Sequence, residues 1–325
     1  MTQIKNIGVF TSGGDSPGMN AAIRAVVRSG LYYNLQVSGI IRGYDGMISG
    51  EIIPMDAKSV ANIIQRGGTV LKTARSDEFR TKEGRKKAYE QLQKHQIDAL
   101  VAIGGDGTFT GAKIFNEEYH IPILGLPGTI DNDLVGTDFT IGYDTAINTV
   151  IEAVDKIRDT AESHDRLFIV EVMGRDSGLI ALRSGIGAGA ETILIPETKT
   201  DVQTILSRLG ESRREKASKI IIVAEGDDAG GAFEIAAAVK NKFPAIDTRV
   251  SVLGHIQRGG PPSCMDRVLA SRLGIAAVES LRDGRSGEMI GLVNGKIHFT
   301  PFKNAIKHIS EANPELLKIV EILSS

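Results

Sequence analysis

The feature that most constrains the fold is an alternation of short apolar segments with segments of helical pattern. The apolar segments are continuously apolar and rich in β-branched residues, as expected for strands buried on both faces. Between many of them lie helical patterns such as 146–162, where Ile147, Ile151 and Val154 recur at helical spacing. Alternating strands and helices predict an α/β fold with open, mostly parallel sheets and helices on both faces. The predicted strands are 6–10, 37–41, 98–103, 122–126, 167–172, 192–196, 219–224 and 249–253.

Length and charge narrow the class of protein. A chain of 325 residues is too long for one ordinary core and predicts two domains. The net charge is −2 with both signs mixed along the chain, which argues against nucleic acid or a membrane as partner. The N-terminus is too polar for a signal peptide, and no apolar stretch approaches the roughly 18 residues of a membrane span. The single cysteine, Cys264, argues for a reducing compartment, and we expect its thiol to serve packing rather than chemistry. We therefore expect a soluble, cytoplasmic protein.

Glycine is concentrated where predicted strands end. The chain has 37 glycines, above the roughly 7% average, and ligands of open parallel sheets bind just past the carboxyl ends of the strands. Nearly every such end pairs glycine with an acid, an arginine or a histidine. This regularity favours a shared anion site over chance turns. The loops read TSGGDSPG, IGGDGT, LPGTIDND, EVMGRDSG, AEGDDAGG and LGHIQRGG.

The first loop has the chemistry of a phosphate cradle. Gly13 and Gly14 allow backbone N–H groups to face an anion, and a helix starting near 17–19 points its N-terminus at the same place. The loop lacks the G-x-x-x-x-G-K-[ST] pattern of a Walker loop. A plain strand–turn–helix junction explains this stretch about as well.

The second loop places an acid, Asp106, between glycines after a buried strand. A carboxylate there is costly unless it binds a cation or caps a helix. One interpretation is an N-cap for a helix starting near Phe109. The other is a Mg²⁺ ligand acting through water, since Mg²⁺ keeps much of its hydration shell and uses few carboxylates.

The third loop alternates Asp131 and Asp133 about Asn132. In an extended loop both carboxylates face the same side, and like charges so close raise each other's pKa. One of them is then suited to accept a proton at neutral pH. The alternative is an Asx-rich turn. Because the chain has three acidic glycine loops, this is the minority interpretation.

Taken together, these motifs resemble those of bacterial ATP-dependent 6-phosphofructokinases. TSGGDSPGMNAAIR, GGDGT, PGTIDND, EVMGR and LGHIQRGG occur in the family's order and spacing, over nearly the whole chain. GGDG alone is weak, because lipid and NAD kinases carry it too, whereas PGTIDND with EVMGR and GHIQRGG is very specific. The resemblance implies two three-layer αβα Rossmann-like domains with mostly parallel sheets and the active site in the cleft between them. It assigns 1–142 plus 258–306 to a larger ATP-binding domain, and 143–257 plus 307–325 to a smaller fructose-6-phosphate-binding domain.

The resemblance also implies a reaction, transfer of the γ-phosphoryl group of MgATP to the 1-hydroxyl of fructose 6-phosphate in glycolysis. Asp131 matches the general base, Asp133 the acid beside it and Thr129 a contact to the transferring group. Arg175 matches a cation near that group, and Asp106 the Mg²⁺-linked acid. The implied nucleotide site comprises Gly14, Tyr44, Arg75, Arg80, Gly105, Asp106, Gly107, Thr108 and Gly111.

The acceptor needs a second phosphate pocket, for which arginine's planar fork is suited. Arg166 and Arg249 stand apart in sequence, and in the family they reach into the active site of a neighbouring subunit, which implies a homotetramer. A solvated surface charge is the usual alternative for any single arginine, but several cations at strand ends weigh against it. The implied sugar-phosphate site comprises Thr129, Asp131, Arg166, Met173, Gly174, Arg175, Glu225, Arg249, His255 and Arg258.

Two glycines bear on the phosphoryl donor. Pyrophosphate-dependent relatives typically carry Asp at the last glycine of GGDG and Lys before the Thr of GTIDND. This chain has Gly107 and Gly128 there, which leave room for the α-phosphate of ATP. We therefore expect ATP as donor.

A regulatory site is also implied. Arg24 and Arg28 lie four apart on one predicted helix, where solvation or an anion between them would explain the pair. In the family they match an effector site for ADP or phosphoenolpyruvate at a subunit interface. Ala57 stands next to Lys58 where many relatives have an arginine, so we expect reduced sensitivity to these effectors. The other residues matching this site are Arg158, Gly189, Glu191, Arg214 and Lys216.

Two other functions remain open at this point. One is a kinase of the same superfamily that uses pyrophosphate or another acceptor, against which the acceptor arginines and the two glycines argue. The other is a non-catalytic nucleotide-sensing protein that keeps the fold. Asp131, Asp106 and Arg175 are all present, and this argues against lost catalysis.

Overall fold

The computed structural model describes residues 4–164, 166–211, 219–306 and 313–323. Within them the chain forms two compact units. The first comprises 4–130, 134–145 and 258–306, and the second the rest. The prediction that one domain binds the nucleotide and the other the sugar phosphate stays a prediction.

Eleven strands are present in the described residues, seven in the first unit and four in the second. All eight predicted strands are there, with ends that differ by a residue or two. The strands are β1 (Asn6–Thr11), β2 (Gln36–Ile40), β3 (Ile52–Met55), β4 (Ala99–Gly104), β5 (Ile123–Pro127), β6 (Leu167–Val172), β7 (Thr192–Leu194), β8 (Lys219–Ala224), β9 (Thr248–Val252), β10 (Glu288–Val293) and β11 (Lys296–Pro301).

Helices follow most strands, as the alternation predicts. The helices are α1 (Met19–Tyr32), α2 (Gly43–Ser49), α3 (Lys82–Lys94), α4 (Asp106–Tyr119), α5 (Tyr143–Glu162), α6 (Leu179–Gly187), α7 (Val202–Glu211), α8 (Ala232–Lys242), α9 (Cys264–Arg282), α10 (Phe302–Ala305) and α11 (Pro314–Leu323).

The first unit has a seven-stranded sheet in the order β11-β10-β5-β4-β1-β2-β3. Its five inner strands are parallel, and the two edge strands β3 and β11 run antiparallel to their neighbours. The sequence reasoning missed β3, β10 and β11. A signal for the last two is present, because Asn294 and Gly295 join them with positive φ values of 50° and 74°, the conformation of a tight hairpin.

Side chains of the inner strands pack on both faces of this sheet. On β1, Ile7 and Val9 enter a core with α1 and α9, whereas Phe10 enters a second core with α2, α3 and α4. Because successive side chains of a strand alternate between faces, a strand covered on both sides must be apolar throughout. The first unit therefore has the predicted three layers, and its glycine loops lie at the carboxyl edge of the sheet.

The second unit has four parallel strands in the order β7-β8-β6-β9. The central strand β8 is buried along its whole length. The prediction that segment 249–253 is buried on both faces is wrong, because β9 is an edge strand with no fully buried residue and Val252 is 49% exposed. An edge strand has a neighbour on one side only.

Two further properties concern single features. Cys264 is exposed at the first residue of α9, so the expectation that its thiol serves packing is wrong. Within the described part of the chain, no helix combines the length and the apolar character needed to cross a membrane.

Candidate functional site

Three glycine loops meet at the carboxyl edge of the first unit's sheet. The backbone N–H of Ser12 donates to Ile103 O (3.0 Å), and that of Gly128 donates to Gly104 O (3.0 Å). The Thr108 hydroxyl donates to Ser12 O at 3.1 Å. These bonds hold the loops that follow β1, β4 and β5 together at this edge of the sheet.

The loop after β1 leads into α1, which begins at Met19 as predicted. Its N-cap is Gly18, at φ 104°, which supplies no side chain to the first-turn N–H groups. The Met19 N–H donates to Ser16 O at 3.3 Å, and the helix dipole favours an anion at this end of α1. Arg258 adds a positive charge here, since its Nη1 donates to Asp15 O at 3.3 Å.

The second loop corrects one expectation. Helix α4 begins at Asp106, not near Phe109, and its N-cap is Gly105, whose backbone is extended. Asp106 therefore does not cap this helix, and the alternative interpretation of Asp106 as an N-cap is wrong. A carboxylate in the first turn interacts favourably with the helix dipole.

The predicted nucleotide edge is built around a buried tyrosine. The Tyr44 hydroxyl donates to Thr108 O at 2.7 Å, and its ring stacks on Phe79 with centroids 3.9 Å apart. Burial raises the pKa of the Tyr44 phenol, which keeps it a neutral donor. A Cβ on Gly111 would lie 3.0 Å from this ring, so the glycine lets α4 approach it. Arg75 and Arg80 are exposed nearby in the chain.

Sequence reasoning did not single out the Phe79 ring or Thr73. The Thr73 hydroxyl donates to Gly13 O at 2.8 Å and ties segment 73–80 to the first loop. Neither residue type carries a motif signal, because their roles depend on contacts between distant parts of the chain.

The third loop carries Thr129, Asp131 and Asp133, all of them buried. Asn132 lies between the acids at φ 54°, in the left-handed region. The loop is therefore not extended at Asn132, and the premise that an extended loop turns both carboxylates to one side is wrong. Asparagine tolerates this conformation better than most residues, and thereby permits a tight turn between two acids.

The second unit gathers a separate group of predicted residues. The Arg175 N–H donates to Glu225 Oε1 at 2.7 Å, which joins the loops after β6 and β8. Arg175 lies at φ 57°, directly after Gly174 at φ 145°, so a strained turn projects its exposed guanidinium.

Gln257 organises the same edge and was not found from sequence. It is fully buried, accepts from the Met173 N–H at 3.3 Å and donates to Gly254 O at 3.0 Å. It thereby fixes the segment that carries His255, which is exposed. Its place inside the GHIQRGG motif was the available signal.

Arg166 and Arg249 lie at the other end of the second unit's sheet. Arg166 precedes β6, and Arg249 is the second residue of β9, whereas Arg175 and Glu225 follow strand ends. Six residues of extended strand span roughly 20 Å. One chain therefore does not bring Arg166 and Arg249 together with Arg175 and Glu225.

The two donor-related glycines have different surroundings. A Cβ on Gly107 would meet no atom of the described chain within 4 Å. A Cβ on Gly128 would lie 2.9 Å from Ile103 Cγ2 and 3.1 Å from Met19 Cε. Packing thus explains Gly128, while the space at Gly107 is available to a ligand.

The residues expected to bind an effector divide between the units. Arg24 and Arg28 lie on α1 in the first unit, where Arg28 Nη2 donates to Ala57 O at 3.4 Å. In the second unit Arg158 Nη2 donates to Ala188 O and Gly189 O, and Glu191 accepts from the Ile220 N–H. Arg214 and Lys216 lie outside the described residues.

The described residues contain no group of three or more metal-ligating side chains. This is compatible with an ion held mainly by nucleotide phosphates and water, with one carboxylate such as that of Asp106.

The comparisons with known proteins agree with the motifs. A family model described as Phosphofructokinase matches residues 6–281. The chain is 58% identical to an ATP-dependent 6-phosphofructokinase of Cytophaga hutchinsonii over 99% of this chain and 98% of that protein. It is 56% identical to ATP-dependent 6-phosphofructokinase 1 of Thermus thermophilus over 99% of this chain and 100% of that protein.

Solved structures give the same fold. Phosphofructokinase from Saccharomyces cerevisiae superimposes with a TM-score of 0.91 at 36% identity, over 98% of this chain and 50% of the yeast chain. This chain therefore spans about half the length of the yeast chain. A pyrophosphate-dependent phosphofructokinase from Marinobacter aquaeolei gives a TM-score of 0.86 at 21% identity, over 99% of this chain and 92% of that one, a likeness of fold alone.

Proposed function

The chain belongs to the phosphofructokinase family, and from this premise we propose that it is an ATP-dependent 6-phosphofructokinase. It transfers the γ-phosphoryl group of ATP to the 1-hydroxyl of fructose 6-phosphate and releases fructose 1,6-bisphosphate and ADP. The observation that carries the proposal is the meeting of the loops after β1, β4 and β5, which surround one place with glycine backbone, Asp106 and Arg258. Relatives at 51–58% identity are named for ATP as donor.

Asp131 acts as the general base in this proposal. The substrate's 1-hydroxyl oxygen forms a bond to the γ-phosphorus, its proton passes to the Asp131 carboxylate, and the bond from the γ-phosphorus to the leaving ADP oxygen breaks. The transition state is loose and spreads negative charge, so cations rather than covalent chemistry provide most of the stabilisation. Arg175 supplies one such cation, and Asp133 and Thr129 complete the group around the reacting hydroxyl.

Asp106 is the residue that would hold Mg²⁺, through water, when the nucleotide brings the ion. Bound there, the ion neutralises the phosphates. The position of Asp106 beside Gly105 and Gly107, with no other ligand cluster among the described residues, fits an ion that keeps most of its hydration shell.

A second copy of the chain supplies Arg166 and Arg249 to the acceptor pocket. The support is their position at the far end of the second unit's sheet from Arg175 and Glu225. Two exposed apolar side chains at the carboxyl end of β9 and just after it, Val252 and Ile256, are also suited to a protein contact. We propose a homotetramer, in which isologous contacts complete every site.

The proposed effector site takes ADP or phosphoenolpyruvate, with weakened response. Arg28 already donates to the carbonyl of Ala57, and the alanine offers no cation of its own. The enzyme is proposed to act in the cytoplasm, where its single cysteine stays reduced.

The test is a coupled assay with fructose 6-phosphate and either MgATP or magnesium pyrophosphate, on wild type and Asp131→Asn. We expect turnover with MgATP, and a fall in kcat of about 10²–10⁴-fold or more in the variant with unchanged thermal unfolding. Preference for pyrophosphate would replace the proposed donor. A folded, fully active Asp131→Asn would refute the proposed base, and absence of turnover in wild type would refute the function.

A further inference from the structure

The carboxylate of Asp247 holds two arginines of the proposed acceptor site in one cluster. Arg166 Nε lies 2.7 Å from Asp247 Oδ2, and Arg249 Nη2 lies 3.1 Å from Asp247 Oδ1. Arg249 Nη2 also donates to Oδ2 at 3.2 Å, so one carboxylate binds both guanidinium groups and Oδ2 accepts from both.

The sheet register makes this cluster. Strands β6 and β9 are parallel neighbours in which Leu167 pairs with Thr248 and Phe168 with Arg249. The Leu167 N–H donates to Asp247 O at 3.1 Å, which fixes Asp247 across from the residue before β6. Arg166 directly precedes Leu167 and Asp247 directly precedes Thr248, so Arg166 and Asp247 lie opposite each other.

The pattern of nitrogen atoms leaves a phosphate-binding surface. Arg166 uses Nε toward Asp247, and its two terminal nitrogens make no hydrogen bond to the described part of the chain. Those two nitrogens are the fork that binds phosphate in a bidentate manner. Within the described part of the chain, only Nη2 of Arg249 donates to Asp247, so Arg249 too retains donors.

The charge of Asp247 stabilises the cluster of Arg166 and Arg249. Two guanidinium groups so close repel each other, and a shared carboxylate offsets that repulsion. The pKa of the Asp247 carboxyl is held below its usual range, mainly by the hydrogen bond from Arg166. Two arginines and one aspartate leave a net charge of +1, which still attracts a phosphate dianion.

We propose that Asp247 is a positioning residue that holds Arg166 and Arg249 as a pair for the phosphate group of the sugar-phosphate substrate. The inference rests on the proposed function, because it takes those arginines as ligands of that phosphate. Asp247 itself touches no substrate. It acts by presenting two cations in a fixed arrangement, which lowers the cost of ordering long side chains when the phosphate binds.

The test compares Asp247→Asn, which keeps the side-chain shape and removes the charge, with Asp247→Ala and Arg166→Ala. We expect Asp247→Asn to raise KM for fructose 6-phosphate about tenfold, with kcat and KM for ATP within threefold of wild type. Asp247→Asn combined with Arg166→Ala is expected to be no worse than Arg166→Ala alone, because the two residues act as a unit. Glu90→Gln, which removes a carboxylate from the exposed pair with Lys86, is the control and is expected to change neither constant.

Three outcomes overturn the inference. In the first, Arg166→Ala raises KM for fructose 6-phosphate but Asp247→Asn does not. An unchanged KM means that Asp247 does not position the arginines, and a lowered KM means that it competes with the phosphate; both leave the proposed function intact. Dissociation of the oligomer in Asp247→Asn, measured by sedimentation, means that Asp247 acts through subunit contact. Absence of phosphofructokinase turnover in wild type refutes the proposed function itself.

Discussion

The guanidinium of Arg258 occupies the space in which a side chain at Gly14 would lie. A Cβ on Gly14 would be 2.7 Å from Arg258 Nη1, and this nitrogen also donates to Asp15 O. An arginine expected at the sugar phosphate and a glycine expected at the nucleotide therefore touch each other within the first unit. In the proposed function, this contact would join the two substrate sites.

Gly14→Ala is expected to disturb catalysis without unfolding the protein. The backbone at Gly14 is not left-handed, so alanine meets no backbone strain, and its methyl group displaces the Arg258 side chain. We expect kcat/KM for fructose 6-phosphate to fall at least tenfold, with little change in thermal unfolding. Because both changes act through one guanidinium, the double variant with Arg258→Ala should be no worse than Arg258→Ala alone. Additive losses would contradict this contact.

Gly107→Asp is expected to weaken ATP binding while leaving the fold intact. A Cβ there meets no atom of the described chain, so the side chain projects into the proposed nucleotide space. Two like unit charges 4 Å apart repel each other by about 1 kcal/mol in bulk water and by about 4 kcal/mol near a protein surface. A difference of about 1.4 kcal/mol changes affinity tenfold. KM for ATP, measured at saturating fructose 6-phosphate, should rise about tenfold or more. Gly107→Ala is the uncharged control and should raise it less; an unchanged KM in Gly107→Asp would place the nucleotide elsewhere.

The pair of Arg85 and Glu118 is expected to stabilise the first unit. Arg85 Nε and Nη2 both bind the Glu118 carboxylate, and Arg85 Nη1 donates to the carbonyls of Phe79 and Arg80, with the arginine side chain only 7% exposed. Glu118→Gln leaves a buried guanidinium under-satisfied, so the free energy of unfolding should fall by about 1–3 kcal/mol. Denaturant unfolding measures it, with Glu90→Gln of the exposed Lys86 pair as the control expected to show a smaller loss.

The same pair gives a pH dependence. The hydrogen bond from Arg85 lowers the pKa of Glu118 below its ordinary value of 4.5. A lowered folded-state pKa means that the stabilisation is present above pH 4.5 and is lost as pH falls through the folded-state pKa. The difference between wild type and Glu118→Gln should therefore shrink below pH 4.5; a difference that is constant with pH would show that ionisation is not its source.

Asp266 is expected to give a pH dependence of the opposite sign. Its buried carboxylate accepts from the N–H groups of Gly142 and Thr145, at 2.8 and 2.9 Å, and joins the starts of α5 and α9. Burial raises the pKa above 3.8, partly opposed by these hydrogen bonds and aided by the charge of Asp144. The unfolded chain then loses this proton at lower pH than the folded chain, so the contribution to stability falls as pH rises from 3.8 through the raised pKa.

Asp266→Asn removes that ionisation. Denaturant unfolding over a pH series from below 3.8 upward should show a flatter profile for the variant than for wild type in this window. A parallel profile for the two proteins would contradict the raised pKa. The absolute loss from the weaker hydrogen bonds of the amide does not affect the slope, which makes the slope the decisive readout.

Elements with one dominant local signal could be predicted from the sequence. The parallel strands other than β10, the start of α1 and the glycine loops follow from apolar runs, most of which lead into a glycine loop. Two-face burial demands a continuous apolar run, and this pattern is visible without coordinates. Strands at sheet edges escaped or were misjudged, because β3 and β11 are only partly buried and β9 has a neighbour on one side only.

Some residues of the candidate site could likewise be predicted from the sequence, and others could not. Glycine–acid spacing identified Asp106, Asp131 and Asp133 as candidates, since short motifs encode which atoms a ligand can meet. The left-handed turn at Asn132 and the role of Gln257 required backbone geometry and burial, neither of which residue order states.

By itself the sequence determined the layered α/β architecture, the loops that carry acids and glycines, and the family. Only the tertiary structure decided that Arg258 fills the space at Gly14, that Asp247 joins Arg166 to Arg249, and that these two arginines lie at the far edge of their sheet from Arg175. The physical reason is range. Apolar periodicity and turn chemistry act between neighbours in the chain, whereas Arg166 is 81 positions from Asp247 and Arg258 is far along the chain from Gly14. The register of β6 and β9 brings the first pair into hydrogen-bond distance.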